Sequence, residues 1–455
     1  MARAGAVHGE IQMTEGSLWK NILLFSIPLV FSQLLQVMFN MADVAVVGKF
    51  ASDTALGAVG STSTLVTLFT GFLIGMGNGV NVRVAQHLGA QHREETSRAV
   101  HTAFLLCLLA GLGIMALCLA LAANMLEMLH TKDDLLPGAV LYFRIYALGM
   151  PALGVFNFGN AVLSANGDTK RPLLYLTIAG ILNVILNLFF VIVCKMAADG
   201  VALASVISQY VSAILVVWHM MRLNDACKFH FRELRFHGDE VGRILGLGVP
   251  AGIQHMIFAI ANLFIQAAVN SFDSTMVSGN AAAANTDTII YNIMMAFYTA
   301  CSTFMGQNWG AGHKKRMMDS YLISLFYAFA IAAVLGVAFY FAGRPFLYVF
   351  TNSADVVEAG MQRMKIMCFS YAISAFMDNT IAACRGLGRT IVPTVVVIMG
   401  SCVFRVIWVY TIFAHYHTIP SLYLLYAFSW TITAAAEIVY FLHCFRKLRL
   451  VPETA

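Results

Sequence analysis

Four carboxylates interrupt long apolar stretches of this chain: Asp43, Asp287, Asp378 and Glu437. A charge inside a bilayer-length apolar segment is costly, so each is a functional candidate by default. Asp43 is the sharpest of them. It stands in the run FNMADVAVVG, where an acid suits reversible protonation or the holding of a cation. The alternative is an acid near a helix end that reaches the outer interface. Asn183 and Asn187 are four residues apart and share one helix face. Their carbonyls could coordinate Na⁺ or bond a protonated acid, or the amides could serve only as interhelical bonds. Asp378 is expected either to pair with Lys365, Arg385 or Arg405, or to touch a ligand. Asp287 lies in AAAANTDTIIYN, whose small residues imply close helix packing with the acid facing inward. Asp287, Tyr291 and Asp378 are the substrate-contacting candidates of the C-terminal half. Glu437 is only a few residues from a basic C-terminus and is expected to snorkel towards it.

The elements that carry these residues must lie in a bilayer. The chain has 455 residues, 59% hydrophobic and only 11% charged, with mean hydropathy +0.75. A soluble domain carries roughly 25% charge. The fold class expected is an all-α polytopic membrane protein. Apolar stretches of spanning length fall near 18–46, 55–80, 99–123, 136–163, 172–194, 199–221, 243–271, 275–306, 318–342, 356–383, 391–414 and 420–445, which makes twelve. Pro28, Pro151 and Pro250 sit inside such spans and should bend them. The expected organisation is a cytoplasmic tail 1–16, a six-helix lobe 17–221, a charged linker 222–242, a second six-helix lobe 243–445 and a tail 446–455. The net charge is +5, but its placement matters more. Twenty Lys and Arg residues fall on one side of the predicted spans and four on the other, which places both termini in the cytoplasm. Residues 1–16 carry no cleaved-signal pattern.

The second half repeats the first. Gln86, Gly89, Ala90 and His92 recur as Gln307, Gly310, Ala311 and His313, and Gly167, Thr169 and Pro172 recur as Gly388, Thr390 and Pro393. Pro28, Asn40, Ala45 and Val47 recur as Pro250, Asn262, Ala267 and Val269. Six spans per repeat make the repeats parallel, and a duplicated membrane chain is suited to alternating access. Several functions are excluded. Basic residues are scattered, so no nucleic acid is expected as a partner. Nine cysteines form no C-x-x-C pair and read as packing residues. Thirteen histidines show no metal-ligand spacing, so no metal is expected, apart from Na⁺ at Asp43. No phosphate-binding loop, H-E-x-x-H, serine elbow or dinucleotide fingerprint occurs. The chain is therefore expected not to be an enzyme and to need no cofactor, only an H⁺ or Na⁺ gradient.

These motifs together resemble the multidrug and toxic compound extrusion (MATE) family, over about residues 15–446. Pro28 and Asp43 to Gly48 resemble the family's first helix. VAQHLGAQH and MGQNWGAGH resemble its paired loops after the second and eighth helices, and LSANGDTKRP and CRGLGRTIVP those after the fourth and tenth. The resemblance implies the family fold of two six-helix lobes, and efflux of amphipathic or cationic organic compounds in exchange for H⁺ or Na⁺. It implies an ion site at Asp43 and Asn183, with Asn187 where the family has a second acid and Ser205 where it has Thr. With one formal charge where two are usual, H⁺ antiport is favoured over Na⁺. A glutamate used by another branch on the seventh helix has Gln254 and His255 in its place. An acid on the tenth helix of related sequences corresponds to Asp378. A bacterial cytoplasmic membrane and a monomer are expected. The alternative is a lipid-linked precursor flippase on the related fold, which should show an arginine-rich cavity. A major-facilitator carrier would show G-x-x-x-D-R-x-G-R-R after the second span, and this chain has VRVAQHLGAQHREE.

Overall fold

The structure is a computed structural model that describes residues 11–448. The outer tail residues, with Arg3 and Arg449 of the charge split, lie outside the described residues. Twelve helical segments of spanning character follow in order. They are α1 (Leu18–Phe50), α2 (Asp53–Gly89), α3 (Arg93–Met128), α4 (Leu136–Ala147 with Met150–Ala165), α5 (Lys170–Val193), α6 (Ala198–Met221), α7 (Gly238–Val269), α8 (Ser274–Gly310), α9 (Lys314–Phe341), α10 (Ala354–Gly386), α11 (Ile391–Tyr416) and α12 (Ile419–Lys447). The twelve-span expectation holds, with α4 bent by 44° at its break. Pro151 fits that break: it sits in the first turn of the second piece, where its missing N–H is tolerated.

Local sequence sets the ends. Ser52 caps α2 by accepting from the Ala55 amide, Asp273 caps α8 from the Met276 amide, and Thr418 with Ser421 forms a capping box on α12. The repeated loop motifs make the same turn twice. The amide of Ala90 donates to Gln86 at 3.1 Å, and that of Ala311 to Gln307 at 2.9 Å. The turns after α4 and α10 use Gly167 at φ 90° and Gly388 at φ 77°, a left-handed region that glycine enters freely.

The described residues form two compact units, one of residues 11–12 with 31–256 and one of 13–30 with 257–448. Hydropathy had placed the boundary at a linker, 222–242. The packing instead divides the chain inside α1 and α7, a few residues after Pro28 and Pro250. A proline inside a helix removes one backbone bond, so the two ends of the helix can pack with different neighbours. Nor is 222–242 a free linker. Cys227 and Phe229 are fully buried in the core of the first unit, and the Phe229 ring lies 4.7 Å from that of Phe104. Charges flanking these two apolar residues hid them from a composition reading.

Within the first unit α2 and α7 approach at glycines. A Cβ on Gly75 would lie 2.3 Å from the Gly252 amide nitrogen, and one on Gly79 would lie 2.5 Å from that of Gly248. In the second unit α8 and α10 meet similarly at Gly279 and Gly360. Small residues at membrane-helix interfaces allow this backbone approach.

Candidate functional site

The first unit gathers α1, α5 and α6 around one carboxylate. Asn187 Nδ2 donates to Asp43 Oδ1 at 2.5 Å, and Ser205 Oγ donates to Asp43 Oδ2 at 3.3 Å. Asn187 also donates to Asn183 Oδ1 at 3.2 Å, and Asn183 Nδ2 donates to Ser205 Oγ at 3.3 Å. The four residues form a closed ring of hydrogen bonds. Asn187 Oδ1 is buried without a partner. Asn183, Asn187 and Ser205 are buried while Asp43 is only half-buried. Among the described residues no basic side chain forms an ion pair with Asp43. Such a site offers one exchangeable charge and neutral oxygens, which is what binding a proton or a small monovalent cation requires.

Two features of the chain align this ring. Gly180, one turn before Asn183, lets α1 close on α5: a Cβ there would lie 1.8 Å from the Phe39 ring. Immediately after Asn187 the helix widens into a π turn, Phe189–Val193, a form often found at functional positions. Sequence reasoning missed Tyr142 and Tyr146 on α4, whose rings stack 6.0 Å apart within electrostatic reach of Asp43. Their spacing of four residues was the available signal.

The second unit has a different balance. Asp287 on α8 is taken up by Arg363 on α10, whose Nε lies 3.1 Å from Asp287 Oδ2 and whose Nη2 bonds the same oxygen. Arg363 also donates to the Tyr423 hydroxyl at 3.0 Å. Asp287 is thus a neutralised acid. Asp378 makes no ion pair within 4.0 Å among the described residues; Arg405 and Arg385 lie within electrostatic reach of it. Lys365 faces Glu358 instead, at 4.0 Å. Tyr291 is 40% exposed, although Asp378, Arg385 and Arg405 all lie within electrostatic reach. Glu437 does not snorkel: it is fully buried and neither carboxylate oxygen has a partner. Its position on α12, two full turns short of the basic end, is too deep for a glutamate to reach the surface.

Two further clusters were not legible in the sequence. Arg83 on α2 grips Glu240 on α7 through two bonds of 2.7 Å, with His87 at 3.0 Å, and all three are buried. His101, His230 and Glu233 come together in the first unit. There the His101 ring is already engaged: Nδ1 lies 2.8 Å from the Ser97 carbonyl, and Nε2 accepts from the His230 amide at 3.0 Å. Residues 129 apart carry no spacing signal.

Comparison with known proteins gives a consistent picture. The MatE family model matches twice, at residues 28–189 and 250–411. The two matches begin at Pro28 and Pro250 and mark the same repeat. A probable multidrug resistance protein, YpnP of Bacillus subtilis, is 29% identical over 79% of this chain and 80% of its own length. An FAD transporter of Shewanella oneidensis is 24% identical over 70% of this chain and 72% of its own length. Among solved structures, a MOP superfamily transporter from Pyrococcus furiosus superposes with a TM-score of 0.90 at 20% identity, covering 97% of this chain and 99% of that one.

Proposed function

The chain belongs to the MatE family of multidrug efflux transporters, and on that premise we propose that it is an ion-coupled antiporter with its coupling site at Asp43. It exports amphipathic and cationic organic compounds in exchange for H⁺, through alternating access. The observation that carries this reading is the Asp43 carboxylate, held by neutral donors from Asn187 and Ser205 and only half-buried. A carboxylate partnered by a base would be held in its ionised form and would resist taking a proton. One partnered by amides changes net charge when it takes a proton.

The cycle follows from differential affinity. The ionised acid attracts a cationic compound from the cytoplasm. Protonation from outside removes that charge and stabilises the state that releases the compound. Proton and compound thus favour different states, and each shifts the population the other needs. Asn187 and Ser205 bond to the carboxylate and orient it, and Asn183 bonds to both of them. Asp287, Tyr291 and Asp378 belong to the substrate-contacting region of the second unit. H⁺ is favoured over Na⁺ because one carboxylate must hold the whole charge of the ion, and a second acid is missing at Asn187. The protein resides in the bacterial cytoplasmic membrane as a monomer, with both termini cytoplasmic.

Ethidium efflux from cells lacking their own pumps tests this. Wild type and Asp43→Asn are compared with the proton gradient collapsed or Na⁺ removed in turn. Efflux that requires Asp43 and stops with the proton gradient supports the proposal. Asp43→Asn exporting as well as wild type would refute it. Absence of efflux under every condition, with stalled wall-precursor synthesis on depletion, would favour a lipid-linked precursor flippase.

A further inference from the structure

The charged connector between the repeats packs on the first unit and brings three metal-ligating side chains together. His101 on α3, with His230 and Glu233 on the connector, place their donor atoms within 4.8 Å of one another. The connector is fixed on both sides of this point. Phe229 is buried, and its ring stacks on that of His101 at 5.4 Å and 13°. On the other side Thr102 Oγ1 donates to the Arg235 carbonyl at 3.2 Å and accepts from the His237 amide at 3.3 Å. Between these anchors the chain makes a 3-10 turn, Phe231–Glu233, and the Glu233 amide donates to the His230 carbonyl at 3.1 Å. A turn of three residues brings side chains three apart to one side. His230 and Glu233 accordingly face each other, with Nδ1 3.5 Å from Oε1.

The geometry fits a single ion. Two donors each about 2.1 Å from a tetrahedral ion stand about 3.4 Å apart. Glu233 Oε1 lies 3.5 Å from His230 Nδ1, and its Oε2 lies 3.8 Å from His101 Nε2. His101 is also oriented as a metal-ligating histidine is. Its Nδ1 lies 2.8 Å from the Ser97 carbonyl, which can only accept, so Nδ1 carries the hydrogen and Nε2 keeps its lone pair. That lone pair points at the connector, where it accepts the His230 amide at 3.0 Å. An ion takes the lone pair over, and the amide turns to water at the connector's exposed edge. His230 and Glu233 are both exposed, so an ion enters from the aqueous side and water completes its coordination. We propose that His101, His230 and Glu233 form a site for a divalent transition-metal ion of the Zn²⁺ class, which clamps the connector to α3. Two imidazoles and one carboxylate suit Zn²⁺, Co²⁺ or Ni²⁺, whereas Mg²⁺ and Ca²⁺ prefer oxygen ligands throughout. Arg232 and Arg235 stand exposed on the same segment, so directed imidazole bonds, not net charge, supply the affinity. Histidine spacing along the chain suggested no metal site, because these ligands come from segments 129 positions apart. The inference is independent of Asp43 and of what the protein transports.

The test is metal binding by the purified full-length protein in detergent, with any histidine tag removed and metals stripped by a chelator. Zn²⁺ is titrated by calorimetry, and Co²⁺ by the visible absorption that reports tetrahedral coordination. Wild type is expected to take one Zn²⁺ per chain that excess Mg²⁺ does not displace. His101→Gln, His230→Gln and Glu233→Gln should each weaken it by at least about tenfold, since losing even a partner of a metal ligand costs about tenfold to a hundredfold. His415→Gln, which removes an exposed histidine of the second unit, should leave binding unchanged. The clamp has its own readout. Trypsin should cut after Arg232 more slowly with Zn²⁺ than without it in wild type, and at one rate in Glu233→Gln. Absence of a stoichiometric site, displacement by Mg²⁺, or equal weakening by His415→Gln would mark adventitious binding only and overturn the inference. Ligand variants that bind as wild type does, or cleavage indifferent to Zn²⁺, overturn it as well. Should the buried His101→Gln fail to fold, the two exposed ligands decide.

Discussion

Replacing Asn187 by aspartate should give the Asp43 site a strong preference for sodium. Asn187 Nδ2 lies 2.5 Å from Asp43 Oδ1 and 3.2 Å from Asn183 Oδ1. A carboxylate in the same place would set two negative charges against one another at hydrogen-bond range. Two unit charges about 4 Å apart at an effective dielectric near 20 repel by about 4 kcal/mol. Because Asp43 is only half-buried, solvent screens part of this, and about 1.5–4 kcal/mol is a fair range. A Na⁺ between the two carboxylates gains an attraction of that order, which is about one to three decades in affinity. Asn183 Oδ1 and Ser205 Oγ stand ready as neutral ligands. The assay is ethidium efflux from membrane vesicles at alkaline pH, with a protonophore present and Na⁺ varied. Wild type should lose efflux under the protonophore whatever the Na⁺ concentration. Asn187→Asp should retain efflux that rises with Na⁺. The reasoning is refuted if the variant stays insensitive to Na⁺, or if wild type already follows Na⁺ without a proton gradient.

Two other perturbations probe the scaffold around that site. Arg83→Met strands the buried Glu240 carboxylate, which Arg83 grips at 2.7 Å through both oxygens; a loss of about 3–5 kcal/mol is expected. Thermal melting in detergent should show a lower midpoint for Arg83→Met and partial recovery in the double variant with Glu240→Leu. Gly180→Ala forces a methyl to within 1.8 Å of the present position of the Phe39 ring, so the ring must turn or α1 must recede. Overpacking of this kind costs about 1–3 kcal/mol. Phe39 is one turn before Asp43, so efflux per molecule of protein should fall, while ethidium binding in detergent persists.

The Asp43 site was partly legible because its chemistry is local. Asn183 and Asn187 declare their shared face by spacing, and Asp43 declares itself by interrupting an apolar run. Ser205 had no signal beyond the family resemblance, since a serine in a membrane helix is ordinary. Twelve spans followed from hydropathy, because a bilayer imposes one length scale on every helix. What sequence could not show is any pairing across long separations. Arg363 meets Asp287 across 76 positions and Arg83 meets Glu240 across 157, and periodicity says nothing about which helices touch. For the same reason three candidate partners were open for Asp378. The unit boundaries inside α1 and α7 escaped notice because the proline signal was read as a bend, not as a change of packing partner.

The duplication carried the scaffold over and let the chemistry diverge. Arg363 occupies the repeat position of Tyr142, and Ile265 that of Asp43. Arg405 falls within one residue of the repeat position of Asn183, and in both halves a π turn follows, Phe189–Val193 and Val409–Phe413. The same helical turn therefore presents a polar side chain at the same place in each unit. In the first unit it faces an acid that no base neutralises. In the second it is a base, Arg405, with Asp378 in electrostatic reach and no ion pair among the described residues. A membrane interior tolerates neither charge without use, because stranded ions there carry a large desolvation penalty. Opposite charges kept on matching positions of a duplicated frame mean that the two units share a scaffold while their side chains have diverged in chemistry. On this argument removing both charges, with Asp43→Asn and Arg405→Gln together, should lower efflux by the product of the two single-variant effects. Strong non-additivity in the paired variant would instead show that the two groups serve one ligand.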